Sequence, residues 1–184
     1  MTIEPSAARV NQGTVIMRKF AILASIAVVS SFLGAAGHAQ PRGKLIVNQL
    51  SGKCIDVSGA PGVANGAVIQ LWDCERNGRN KDNNSNSDQF WERTQSGKIR
   101  NTLSGKCIDP KGRNNGDDLQ LWDCDAPGRD SDQIFVFRSD GFIEHRSTRK
   151  CIDVSGAPGR NNGARLQLWD CELNNPGTDQ RWRF

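Results

Sequence analysis

Asp56, Gln70 and Trp72 recur as Asp109, Gln120 and Trp122, and again as Asp153, Gln167 and Trp169. An ionised carboxylate accepts hydrogen bonds and is strongest when it takes two adjacent hydroxyls. A primary amide both donates and accepts. An indole offers a flat apolar face. The set suits a ligand with hydroxyls on its rim and an apolar C–H face, which describes a sugar ring. An aromatic with a few convergent polar groups is also the common lining of a small-ligand site. Each residue has a structural reading beside this one. Tryptophan covers the edge of a neighbouring segment, aspartate forms turns, and duplication copies structural residues along with functional ones.

The elements that must position these side chains are written three times. Lys-Cys-Ile-Asp stands at 53–56, 106–109 and 150–153. Gln-Leu-Trp-Asp-Cys stands at 70–74, 120–124 and 167–171, after spacers of 13, 10 and 13 residues. Asp-Gln-x-aromatic follows as Asp88-Gln89-Phe90-Trp91, Asp132-Gln133-Ile134-Phe135 and Asp179-Gln180-Arg181-Trp182. An isoleucine (Ile46, Ile99, Ile143) lies eight residues before the first cysteine of each unit. Self-similarity with a period of 44–53 residues, read from those cysteines, signals a repeat architecture whose units share one core. Abundant Gly, Asn and Asp and the lack of an amphipathic run of helical length predict an all-β chain with four short strands per unit. Three units fit a closed pseudo-threefold barrel better than a propeller.

Strand alternation places Ile69 and Leu71 on the core face and Gln70, Trp72 and Cys74 on the other. Ile55 and Val57 point inward, Cys54 and Asp56 outward. The pairing that repeats threefold is Cys54–Cys74, Cys107–Cys124 and Cys151–Cys171. Each link closes a loop of near 20 residues and contributes about 3 kcal/mol on chain-entropy grounds. Parity then brings each Asp, Gln and Trp together at the surface. Trp91, Phe135 and Trp182 read as core. Gln89, Gln133 and Gln180 share their parity, and as buried amides they need partners, tying loops or orienting the nearby Asp.

Taken together, the Cys-Ile-Asp, Gln-Leu-Trp, Cys and Gln-x-Trp words resemble the ricin B-chain-like lectins, including family 13 of the carbohydrate-binding modules, over about residues 44–184. The resemblance implies a β-trefoil with three units and a sugar pocket in each. It assigns Asp56, Gln70, Trp72, Asp88 and Gln89 to the first pocket. The second takes Asp109, Gln120, Trp122, Asp132 and Gln133, and the third Asp153, Gln167, Trp169, Asp179 and Gln180. In the family the first Asp binds hydroxyls and the aromatic stacks on the ring. The chain departs from the family in carrying Asp88, Asp132 and Asp179 where Asn is common. The middle unit has Pro110 after its Asp, a shorter loop, and Phe135 for Trp. The first has an enlarged loop, Glu75–Asp88, of 14 residues against eight in the others. The third pocket ranks as the most intact.

Residues 17–39 read as a secretory signal, with a basic head from Met17, an apolar run from Phe20 and small residues before Gln40. An uncleaved anchor is the other reading. Met17 is the better start, residues 1–39 are removed, and 40–184 form one domain. The destination is secreted or periplasmic, without membrane insertion after cleavage. The remaining 21 basic and 19 acidic residues leave about +2, scattered, which does not suit nucleic acid. Six cysteines in an exported chain argue for disulfides. Without C-x-x-C, and with His145 as the mature chain's single histidine, no zinc site, metal or cofactor is expected. Residues 82–86 resemble a calcium loop but lack its Gly, and Arg93 stands where the bidentate Glu belongs. Asn83-Asn84-Ser85 is a glycosylation triplet.

The leading reading is a non-catalytic, weakly binding, multivalent lectin for galactose-like or related sugars or a polysaccharide. A separate catalytic partner is compatible with it. A glycoside hydrolase needs two carboxyls in unlike environments, whereas these acids repeat symmetrically, and no Ser-His-Asp set is present. An interaction or inhibitor protein would use the one asymmetric feature, Glu75–Asp88, which otherwise reads as a solvated, mobile insertion.

Overall fold

The computed structural model describes residues 1–2, 43–126 and 131–184. The chain divides into Met1–Gly37 and His38–Phe184, and every strand lies in the second unit. The signal expected at 17–39 lies outside the described residues.

Thirteen strands are described, and no helix is found among the described residues. The first repeat holds β1 (Lys44–Leu45), β2 (Val47–Asn48), β3 (Cys54–Val57), β4 (Ile69–Trp72) and β5 (Phe90–Arg93). The second holds β6 (Ile99–Asn101), β7 (Cys107–Pro110), β8 (Leu119–Trp122) and β9 (Phe135–Phe137). The third holds β10 (Ile143–His145), β11 (Cys151–Val154), β12 (Leu166–Trp169) and β13 (Trp182–Arg183). The expected twelve become thirteen because the opening strand changes partner at Ile46. β1 pairs with β5, while β2 pairs with β3 and β13.

The last strand of each repeat pairs antiparallel with the first of the next, as β5–β6, β9–β10 and β13–β2. Each first strand also touches the last of its own repeat, through β1–β5 and the bridges Lys98↔Ile134 and Phe142↔Arg181. The six positions therefore close into a barrel. Closure pairs the edges of these barrel strands. The hairpins β3–β4, β7–β8 and β11–β12 cap one end and meet through the bridges Val68↔Gln120, Asp118↔Gln167 and Gln70↔Arg165. This is the β-trefoil architecture.

The core is filled in threes. Ile46, Ile99 and Ile143 stand beside Ile55, Ile108 and Ile152, then Leu71, Leu121 and Leu168, then Ile69, Leu119 and Leu166. Trp91, Phe135 and Trp182 complete it, as their parity predicts. Trp91 Nε1 donates to the Ile55 carbonyl at 3.0 Å and Trp182 Nε1 to that of Ile152 at 3.1 Å. Phe135 has no such donor and packs on His145 instead, centroids 5.4 Å apart. His145 occupies the position of Asn48 and Asn101, each of which donates to the carbonyl of a pocket aspartate's backbone. Its Nε2 meets the Asp132 carbonyl at 2.7 Å, so that nitrogen carries the proton. The three disulfides are Cys54–Cys74, Cys107–Cys124 and Cys151–Cys171, with Cα separations of 5.1, 5.0 and 5.1 Å.

Candidate functional site

Register sets the centre of each site. Asp56 lies opposite Gln70, Asp109 opposite Gln120, and Asp153 opposite Gln167, with each tryptophan opposite the first cysteine. Gln70 Nε2 donates to Asp56 Oδ2 at 2.7 Å and Gln89 Nε2 to Oδ1 at 2.9 Å. Asp109 receives Gln120 and Gln133 the same way, both at 2.9 Å. Asp153 receives Gln167 at 2.7 Å and Gln180 at 2.9 Å. Both oxygens of each aspartate are thus pinned by amides, and the unused lone pairs remain for a ligand.

The glutamine of the Gln-x-aromatic word is fully spent on this task. Gln180 also donates to the Asp170 carbonyl at 3.1 Å and accepts from Glu172 N at 2.8 Å, and it is 0% exposed. Gln89 and Gln133 repeat the pattern with Asp73 and Glu75, and with Asp123 and Asp125. These three amides hold the aspartate; they have no donor left for a ligand.

Alternation predicts Cys54 and Asp56 at the surface. They do point away from the core, but Cys54 is buried and Asp56 is only 4% exposed. The loop after β3 and the loop before β5 fold over them, so the outward face is the floor of a recess. The tryptophans stay at the surface, with Trp122 43% and Trp169 39% exposed and Trp72 half-buried. Each also lies against the hairpin turn of another repeat. A side chain at Gly66 would touch Trp122, one at Gly116 would touch Trp169 and one at Gly163 would touch Trp72. The next residue, Asp73, Asp123 or Asp170, takes a lysine of its own repeat (Lys53, Lys106, Lys150) and the asparagine before that same glycine (Asn162, Asn65, Asn115). The repeated word therefore serves two ends, a pocket and a clip between repeats.

The second aspartate differs among sites. Asp179 Oδ2 accepts from Gly159 N at 2.6 Å, and Asp88 Oδ2 from Gly62 N at 2.5 Å. Both glycines close an Ala-Pro-Gly turn that the middle repeat lacks. A side chain at Gly62 would strike the Ser58 carbonyl and Val57, which fixes glycine there. Among the described residues no backbone N–H donates to the Asp132 carboxylate.

The third site opens as a cavity of about 490 Å³ between Gly156-Ala157-Pro158 and Glu172, Asn175 and Gly177, with Asp153, Asp179, Gln167 and Trp169 in its lining. In the first site the corresponding walls are joined, since Asn83 Nδ2 donates to the Ala60 carbonyl at 2.7 Å. The 75–88 segment is therefore not the loose insertion expected. It is a small hairpin, bridged Arg79↔Asn86 and bonded Asn80 N to Ser85 O and Ser87 N to Gly78 O, with Glu75 and Asn80 buried. Asparagine side chains satisfying local backbone make this possible in a polar sequence.

Burial, then the Asp88 charge, pushes the Asp56 carboxyl up to about 8. Burial pushes Asp88 up to about 6 against the Gly62 N–H. Asp153 rises to about 7 by burial, with the Asp179 charge adding, and Asp179 rises by burial as well. Each pair faces carboxyl to carboxyl, so it holds one proton more readily than none. His145 is pushed down by its burial.

Glu172 completes the acidic lining of the third site, Glu75 stands close to Asp88 in the first, and Asp125 holds the same chain position in the second. The sequence signals them as the acid after each second cysteine, a repeat the sequence reading passes over. The Ala-Pro-Gly turns at 60–62 and 157–159 were legible in the same way.

Residues 42–182 match the model of the ricin-type β-trefoil lectin domain. None of the curated proteins matches. Among solved structures, the chain is similar to an exo-β-1,3-galactanase from Clostridium thermocellum, with 31% identity and a TM-score of 0.57 over 76% of this chain and 29% of that one. It is similar to the hemolytic lectin CEL-III, with 26% identity and a TM-score of 0.58 over 77% of this chain and 29% of that one. The C-half of an earthworm R-type lectin, solved with GalNAc, shares the fold at 23% identity and a TM-score of 0.57, over 76% of this chain and 94% of that one. The chain thus spans less than a third of the first two proteins and nearly all of the third. With three in-register repeats, one disulfide in each, and a family match over most of its length, the chain belongs to the ricin-type β-trefoil lectin domain family.

Proposed function

We propose that the chain binds galactose-like sugars, or a polysaccharide built from them, without catalysing a reaction on them. The observation that carries this reading is the third site. There a carboxylate with both oxygens pinned stands beside a part-exposed indole around an open cavity of about 490 Å³. Asp153 takes ring hydroxyls, Trp169 covers the apolar ring face, and Gln167 and Asp179 set the orientation. The first and middle sites offer the same set, the first behind its Asn83 latch and the middle without the Ala-Pro-Gly wall. Weak sites on one rigid body gain by multivalency on a glycan-covered surface. The galactose preference is supported by the names of similar proteins, one solved with GalNAc and one a galactanase. Export to the cell exterior or periplasm agrees with the signal expected at residues 17–39 and with the three disulfides.

Hydrolysis fits less well. Two glycosidase carboxyls stand about 5–9.5 Å apart around the scissile bond, whereas Asp153 and Asp179 are close enough to share a proton. A role as a loop-presenting inhibitor is disfavoured because the 75–88 hairpin folds back on its own site.

Calorimetric titration with galactosides and a glycan array test the proposal. Trp169→Ala is expected to weaken the third site about tenfold or more in a protein that still unfolds cooperatively, with the other two sites unaffected. A folded protein that is blank on the array, or one that binds equally well with all three pocket tryptophans replaced by Ala, overturns it.

A further inference from the structure

The first and third sites each gather three carboxyl groups, Asp56, Glu75 and Asp88 in one and Asp153, Glu172 and Asp179 in the other. They feel one another, since Asp88 acts on Asp56, Glu75 on Asp88, and Glu172 on Asp179. No lysine, arginine or histidine lines the open third cavity. Among the described residues no ion pair reaches any of the six acids, and the nearby Lys53 and Lys150 are held by Asp73 and Asp170. In the first site two carboxylate oxygens, Glu75 Oε2 and Asp88 Oδ1, are buried with no donor, on residues that are 2% and 1% exposed. A buried anionic oxygen without a donor is costly. The family resemblance leads one to expect asparagine at 88 and 179, whose amide would turn a donor toward the ligand. Aspartate turns only acceptors. No three acidic, histidine or cysteine side chains among the described residues converge tightly enough to ligate a metal ion; acceptors of this kind suit an organic cation or hydroxyls.

We propose that the first and third sites select an amino sugar carrying a free ammonium group, an unacetylated hexosamine, over the neutral sugar. This rests on the carbohydrate-binding reading of the same sites. An ammonium brings three donors and a positive charge to a wall whose only charged groups are carboxyls, although one Glu172 oxygen already accepts from Asn175 Nδ2 at 2.8 Å. The adjacent indole adds to the attraction, since a cation over an aromatic face is stabilised by it. The raised carboxyls agree, because each pair keeps a proton that an ammonium would replace.

Isothermal titration at about pH 6.5, below the range of ordinary α-amino groups, would compare galactose, its 2-acetamido form and its 2-amino form. The proteins would be the wild type, D88N/D179N and W72A/W169A, with melting curves confirming the fold of each. The 2-amino sugar is expected to bind the wild type about tenfold more tightly than the neutral pair. D88N/D179N should lose that preference, and a preference that survives in it overturns the proposal. Tryptophan-dependent binding in which galactose equals or exceeds the amino sugar overturns the proposal and leaves the lectin reading intact. Binding of the amino sugar that survives W72A/W169A is general attraction to charge and also overturns it. No binding of any of the three sugars, with a blank glycan array, removes both readings.

Discussion

At the scale of single residues, the recessed aspartates depend on a side chain whose hydrogen bonds are all spent inside the protein. Gln180 spends both donors and its acceptor inside the protein, on Asp153, the Asp170 carbonyl and Glu172 N. Gln180→Leu would leave three polar groups unpaired in a closed space. We expect it to cost about 2–4 kcal/mol in urea unfolding, together with sugar binding at the third site. A loss below about 1 kcal/mol would mean that water replaces the amide. The reach of sequence reasoning is visible here. Parity and the lack of a solvent route mark Gln180 as a buried amide in need of partners. The partners themselves are a strand aspartate 27 residues away and two backbone groups flanking Cys171, and no spacing rule aims all three at one amide.

At the scale of elements, the three repeats share one frame and differ in their loops. The 75–88 hairpin joins the two walls that stand apart in the third site, through one exposed contact from Asn83 to Ala60. Asn83→Ala should speed association at the first site in stopped-flow mixing while changing stability by less than about 1 kcal/mol. Unchanged rates would mean that the hairpin does not gate the recess. The strands were readable because apolar residues alternate and the units repeat, which fixes inward and outward faces together. The hairpin was misread as mobile because its composition, rich in Asn and Ser, is that of a solvated loop. Its order comes from side chains capping their own backbone, which composition does not report. The burial of Asp56 was missed for a related reason: alternation gives the side of a sheet and says nothing of what folds over that side.

At the scale of the whole molecule, the carboxyl pairs make stability depend on pH in an unusual direction. Asp56 and Asp153 hold their protons to about 8 and about 7 in the folded chain, and an ordinary aspartate releases its proton near 3.8. Between those limits the folded state binds more protons than the unfolded one, so stability falls as pH rises. The melting temperature is expected to drop by roughly 5 °C from pH 5 to pH 8, and D88N/D179N should flatten that slope. A melting temperature that rises over the same interval would contradict the pairing. Below about pH 4 the trend reverses, because Asp73, Asp123 and Asp170 are held down by lysine and asparagine partners and lose them on protonation.

The clips between repeats run in one rotational sense: the turn of the first holds the tryptophan of the second, the second holds the third, and the third returns to the first. A copy that gives up its ligand is therefore still obliged to keep its indole, because another copy's turn rests on it. Trp122 would survive selection in a middle repeat that had long ceased to grip anything. Divergence among the three copies is to be sought in what no clip uses, the wall loops and the side chain of the second aspartate.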